Sequence, residues 1–142
     1  MQRREFLRTS CALSIIGSTV AGVSAFLTSC ALLPVYITEA HGNSIAVPLS
    51  VFTNGTLCII RVKNSLYDVA LKKNGEGDYL AFPLLCTHAS NPLTFTGDKF
   101  VCSLHGSTFD QKGNVTQGPA VRSLTQLHTS LSENSISISL SS

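Results

Sequence analysis

The chain has 142 residues, enough for one ordinary domain and too few for two. Hydrophobic residues make up 44% and charged residues 13%, which argues against a disordered chain. Ten Lys+Arg against eight Asp+Glu give a net charge of +2, and tryptophan is absent; neither a basic face nor a base-stacking platform is present, so nucleic acid is not expected as a partner.

The N-terminus reads as an address. Arg3, Arg4 and Arg8 crowd the first eight residues with only Glu5 against them, and no charged residue follows from Thr9 to Thr38. A positive start followed by an apolar run is the pattern of an export signal. Arg3-Arg4-Glu5-Phe6-Leu7-Arg8 resembles the twin-arginine signal, which implies export of a protein already folded around a cofactor. A general secretory signal that happens to begin with two arginines is the alternative. Leu27-Thr28-Ser29-Cys30 resembles a lipobox, which implies lipidation at Cys30. Against it stands a retained anchor, since Cys11 to Leu33 is long enough to span a bilayer. Either way the chain is expected on the periplasmic side, held to the membrane by a lipid or by its signal. The expected organisation is a signal or anchor at 1–29, a tether at 30–43 and a domain at 44–142. Removing residues 1–29 takes three of the ten basic residues and one of the eight acidic ones, which leaves the domain neutral.

Beyond residue 40 the chain reads as short strands. Residues 45–51 alternate in part, and Asn54-Gly55 follows as a turn. Residues 57–63 form a strand with a continuous apolar centre, 67–71 another, and the polar, glycine-rich 74–78 a loop. Residues 79–85 are an apolar run in which Pro83 marks an edge or an end. Lys99-Phe100-Val101 is a short strand, and 135–140 alternate strictly. No stretch after residue 40 has a helical period, so the expected fold is all-β, a small antiparallel sandwich or barrel.

Five cysteines and four histidines are present. Cys11 and Cys30 belong to the N-terminal segment, and the three that remain make a poor disulfide framework. Cys58 lies in an Ile-rich strand and reads as a buried apolar side chain. His41 and His128 have no partner at ligand spacing. Two pairs remain: Cys86-Thr87-His88, and Cys102-Ser103-Leu104-His105, each at a strand end. Three metal readings compete. Tetrahedral zinc accepts two Cys and two His, but its hairpins usually each supply like ligands. Blue copper wants one Cys, two His and a weak axial ligand, whereas here there are two Cys and the only methionine is Met1. A [2Fe–2S] cluster with two Cys on one iron and two His on the other suits loops that each carry both residue types.

These loops resemble those of the Rieske iron–sulfur proteins, whose signature is C-x-H and then C-x-x-H-G. The likeness continues through Gly106-Ser107, Thr108-Phe109-Asp110, the Gly113 turn and Gly118-Pro119-Ala120, and spans about residues 45–140. The resemblance implies one [2Fe–2S] cluster, with Cys86 and Cys102 on a buried iron and His88 and His105 on an outer one. It implies that Ser107 donates to a bridging sulfide and that Gly118 and Pro119 belong to a loop covering the cluster. Respiratory members carry a disulfide between the two loops, at the positions of Asn91 and Leu104, and high-potential members a tyrosine at Phe109. Both departures place the expected potential below the top of the class range of about −150 to +300 mV. Asp110 reads as a cap or Asx-turn. The function implied is electron transfer, as a carrier and not a free-standing enzyme, with a redox partner protein such as a cytochrome or a molybdenum-enzyme subunit. The alternative is a subunit of a quinol-oxidising or molybdenum-type oxidoreductase complex.

Overall fold

A computed structural model describes residues 33–141 of the chain. The export-signal and lipobox readings, Cys30 among them, lie outside the described residues. Eleven strands run in the order β1 Val35–Thr38, β2 Ser44–Pro48, β3 Leu57–Val62, β4 Val69–Lys73, β5 Tyr79–Pro83, β6 Thr94–Thr96, β7 Lys99–Val101, β8 Thr108–Asp110, β9 Val115–Gln117, β10 Thr129–Leu131 and β11 Ser135–Ser139. They form three sheets, ordered β1-β3-β4-β5, β10-β11-β2 and β6-β7-β8-β9. The only helical element among the described residues is a 3₁₀ turn, Leu49–Phe52, so the fold is all-β, and no helix there is long and apolar enough to cross a membrane.

The first sheet is the wall of the molecule. Side chains on a strand alternate faces, and here both faces are covered. Cys58, Ile60, Val69, Leu71, Tyr79 and Ala81 pack with Ile45, Val47, Ile136 and Ile138 of the second sheet. Leu57, Ile59, Ala70 and Phe82 point the other way and pack with Phe100 and Phe109 of the third and with Cys86 and Cys102 on the adjoining loops. A strand buried on both faces needs no polar alternation, which is why β3 reads as an unbroken apolar run. β2 and β11 have one buried face and alternate accordingly.

Several boundaries differ from the sequence expectation. The strand expected to run to Val51 ends at Pro48, which has no N–H to extend the ladder, and the chain turns into the 3₁₀ segment. The strand expected at 67–71 lies at Val69–Lys73, because Ser65 and Asn64 hold the preceding residues in a turn: Asn64 has φ +62°, and the Ser65 hydroxyl donates to the Tyr67 carbonyl at 2.9 Å. Part of the segment expected as a tether is β1, paired in parallel with β3 from Val35↔Ile59 to Thr38↔Val62. That is the one parallel pairing among the described strands; every other is antiparallel.

The β8–β9 hairpin is built on Asp110, an Asx-turn as the sequence suggested. Its carboxylate accepts from the Lys112 N–H at 2.8 Å, the Asn114 N–H at 2.9 Å and the Asn114 side-chain amide at 3.0 Å. Partial burial works to raise its pKa, but the Asn114 amide, the two backbone N–H groups and the Lys112 charge outweigh it, and the carboxyl sits below the ordinary range. The sign follows from linkage. A carboxyl depressed in the folded state stabilises the fold above its unfolded value, and that contribution is lost as pH falls through the folded value. Asp110→Ala is expected to cost about 1–2 kcal/mol at pH 7. In chemical denaturation that gap should narrow once pH drops below about 4.

Candidate metal centre

The third sheet carries three loops at one end. The first joins β5 to β6 and holds Cys86 and His88; the second joins β7 to β8 and holds Cys102 and His105; the third, from Gly118 to Leu124, leaves β9. The first two are built alike. The Cys86 N–H donates to the Asn91 carbonyl at 2.8 Å and its carbonyl accepts from Ser90 N–H at 2.7 Å. The Cys102 N–H donates to the Ser107 carbonyl at 2.8 Å and its carbonyl accepts from Gly106 N–H at 2.9 Å. In each, the residue four beyond the cysteine turns the chain with positive φ: Ser90 at +51° and Gly106 at +80°. One turn design, used twice, presents each Cys–His pair in the same sense.

The four side chains converge with a clear polarity. Cys86 and Cys102 are fully buried among Leu84, Leu93, Phe100 and Phe109. His88 and His105 are exposed, with ring centroids 4.8 Å apart and planes at 88°. Burial pushes the Cys102 thiol up, but the N–H groups of His105 and Leu104 and the neighbouring Cys86 thiol outweigh it and hold its pKa below the ordinary value. Donors aimed at a buried sulfur favour the thiolate, the form that binds metal. Among the described residues no three His, Cys, Asp or Glu side chains are placed to hold a single metal ion. Two sulfurs inside and two imidazoles outside instead suit a group with two metal atoms, and a [2Fe–2S] cluster fits that donor set. The tetrahedral zinc and blue-copper alternatives do not match this separation.

The third loop fastens the other two. The Thr87 hydroxyl donates to the Arg122 carbonyl at 2.6 Å, and the Gln117 amide donates to the Gly106 carbonyl at 3.1 Å. The buried Ser107 hydroxyl accepts from the Ala120 N–H at 3.0 Å, which leaves its own proton free to donate. Gly118 and Pro119 are exposed on this loop, joined by a cis peptide. Thr87 and Gln117 escaped the sequence reading, since a bond from Thr87 to a residue 35 positions away has no local signature. Asn91 and Leu104 hold no cross-link: Asn91 closes its turn through its carbonyl, and the Leu104 side chain is exposed. Cys58, Cys86 and Cys102 are all free thiols, and Cys58 lies fully buried in the other core as an apolar side chain. His41 and His128 are exposed and far in sequence from either loop.

Comparison with known proteins agrees with this geometry. The cytochrome b6-f complex iron-sulfur subunit of Prochlorococcus marinus (strain MIT 9515) is 37% identical over 67 residues, covering 44% of this chain and 38% of that protein. The corresponding subunit of Cyanothece sp. (strain PCC 7425) is 37% identical over 72 residues, covering 49% of this chain and 40% of that protein. The chain thus spans about two fifths of the length of these curated relatives. Among solved structures, the cyanobacterial plasma membrane Rieske protein PetC3 from Synechocystis PCC 6803 superposes with a TM-score of 0.53 at 28% identity, covering 66% of this chain and 97% of that one. The model of the Rieske [2Fe-2S] domain family matches residues 47–128, which include both cysteine–histidine loops and the strap that joins them. That match covers more than half of the chain, and with it the protein is a member of the Rieske [2Fe-2S] family, whose domain implies one [2Fe–2S] cluster.

Proposed function

We propose that this protein carries single electrons on the outer side of a bacterial membrane, with Cys86, Cys102, His88 and His105 as the cluster ligands. The observation that carries the reading is the pairing of two buried thiols with two exposed imidazoles 4.8 Å apart at one end of a rigid sheet. The cluster supplies one-electron chemistry when bound. The chain supplies a dry, packed socket for the sulfurs and an open face at the histidines, where a redox partner can approach. Arg3-Arg4 and the uncharged run after them support export, and Cys30 or the retained segment would supply the anchor. Reduced, purified full-length protein should give a rhombic Rieske-type EPR signal with two irons per chain. An EPR-silent protein with one zinc would overturn the reading.

The second reading, a subunit of a quinol-oxidising complex with a cytochrome, draws support from the likeness to cytochrome b6-f subunits. Co-purification of a b-type cytochrome with the membrane-extracted protein would favour the complex over a free carrier.

The potential is expected below the top of the class range. Phe109, fully buried against Cys86 and Cys102, offers no hydroxyl, and a donor to a cluster sulfur favours the reduced, more negative form. Ser107 is the donor that remains. Losing a hydrogen bond worth roughly 1.4 kcal/mol lowers a one-electron potential by about 60 mV. Ser107→Ala should therefore shift a redox titration down by that order, and Phe109→Tyr should shift it up. An unmodified protein titrating with the high-potential respiratory members would refute the assignment.

A further inference from the structure

Three of the large exposed apolar side chains belong to or adjoin the first sheet, beside the foot of the first cluster loop. Val35 and Ile37 of the edge strand β1 are 51% and 57% exposed, and Leu66 on the β3–β4 loop is 94% exposed. Val35 lies beside Ile59 and Ile37 beside Arg61, so both face the same side of the sheet. Ile37 and Leu66 share a hollow of about 380 Å³ with Leu84, Pro92 and Leu93. The charged groups at its rim are neutralised in pairs, Arg61 with Asp68 and Lys63 with Glu39, each at 2.9 Å.

The sequence says what can cover this face. The uncharged run that begins at Thr9 does not stop at the domain; it continues through β1, and the first charge after it is Glu39. A chain extends at most about 3.6 Å per residue, so the link from Cys30 to Val35 is at most about 18 Å long. Four residues make up that link. A link of that length keeps β1 within reach of a bilayer that holds Cys30, and the face that begins at Val35 is apolar.

We infer that the face formed by Val35, Ile37 and Leu66 is a lipid-contact surface that seats the domain on the membrane, with Leu66 entering the boundary between headgroups and acyl chains. Paired Arg and Lys side chains at headgroup level with apolar residues below them are the arrangement that membrane-surface segments use. This inference rests on the proposal that the N-terminal segment anchors the chain, and it adds an orientation: the domain lies against the bilayer and does not swing on a tether.

The absence of tryptophan makes the test direct. Leu66→Trp puts a single indole at a fully exposed position, where the fold is not at risk, and Leu131→Trp puts one on β10 of the second sheet as a control. Full-length protein is reconstituted into vesicles of phosphatidylcholine and phosphatidylglycerol, with plain or brominated acyl chains. The expected result is a roughly twofold or greater fall in Leu66→Trp emission in brominated over plain vesicles, with Leu131→Trp unchanged. Protein that fails to float with plain vesicles would overturn the anchoring proposal, and this inference with it. Protein that floats but shows no quenching at Leu66→Trp would overturn this inference alone, the face then being open to water or covered by a partner protein. Equal quenching at both positions would also overturn it, since the domain would then have no preferred face toward lipid.

Discussion

Cys102→Ala and His105→Ala proteins are each expected to purify with less than a tenth of the iron of the parent and no Rieske EPR signal. The two should differ in what else they lose. Cys102 is fully buried beside Cys86 and Phe109, and its removal leaves a void among packed side chains. That void costs about 2 kcal/mol in addition to the stabilisation a bound group gives the folded state. His105 is exposed, so its removal opens no cavity, and the apo-protein should keep its far-ultraviolet circular dichroism. Cys58→Ala is the matched control. It removes an equally buried thiol from the opposite face of the wall, costs about the same 2 kcal/mol for its void and should leave both irons in place. Two irons per chain in His105→Ala would refute the ligand assignment outright.

Gly113→Ala is expected to destabilise the fold by about 2–5 kcal/mol without touching a ligand. Gly113 turns the β8–β9 hairpin with φ +82°, and its N–H donates to the Asp110 carbonyl at 3.0 Å. A Cβ there would stand 2.9 Å from Cε1 of Phe82 and 3.2 Å from Cδ1 and Cζ. Phe82 is a buried ring of β5 in the core it shares with Phe100, Phe109, Cys86 and Cys102, so a shift of the ring disturbs that packing. Strain in the backbone and crowding of the ring therefore add. The Gly113 carbonyl also accepts from Leu124 N–H at 2.8 Å, so the third loop shifts with it. Thermal unfolding of the holo-protein should show a fall of at least 10 °C. Gly97→Ala shares the positive φ, at +67°, but has nothing within 4 Å of its Cβ, so it should cost only the backbone share.

Much of the site was legible in the sequence because its chemistry is carried by residue type at fixed spacing. Two thiols and two imidazoles in mixed pairs cannot be scattered by a fold that keeps both loops at one sheet end. The wall was legible in part. The unbroken apolar run at Leu57–Ile60 announced a buried strand, though not that it has a core on each side. β1 was missed because Val35–Thr38 closes a long uncharged run and reads as more of the same. β6, β9 and β10 are three residues each, with exposed Thr and Ser among them, too short for any period to emerge. The strap that binds the two cluster loops is held by contacts 11, 13 and 35 residues apart, which topology creates and local sequence does not encode.

The wall has a further consequence. Leu57 and Ile59 alternate with Cys58 and Ile60 on one strand, so the two cores are opposite sides of the same three strands, β3, β4 and β5. Neither side can melt while the other stays, because either loss strips one face from strands that both require. The molecule should therefore behave as a single cooperative unit, with no half-folded state that keeps the sandwich and sheds the iron-binding end. The slowest amide protons to exchange should belong to β3 and β4, the strands with a neighbour on each edge and side chains packed on each face.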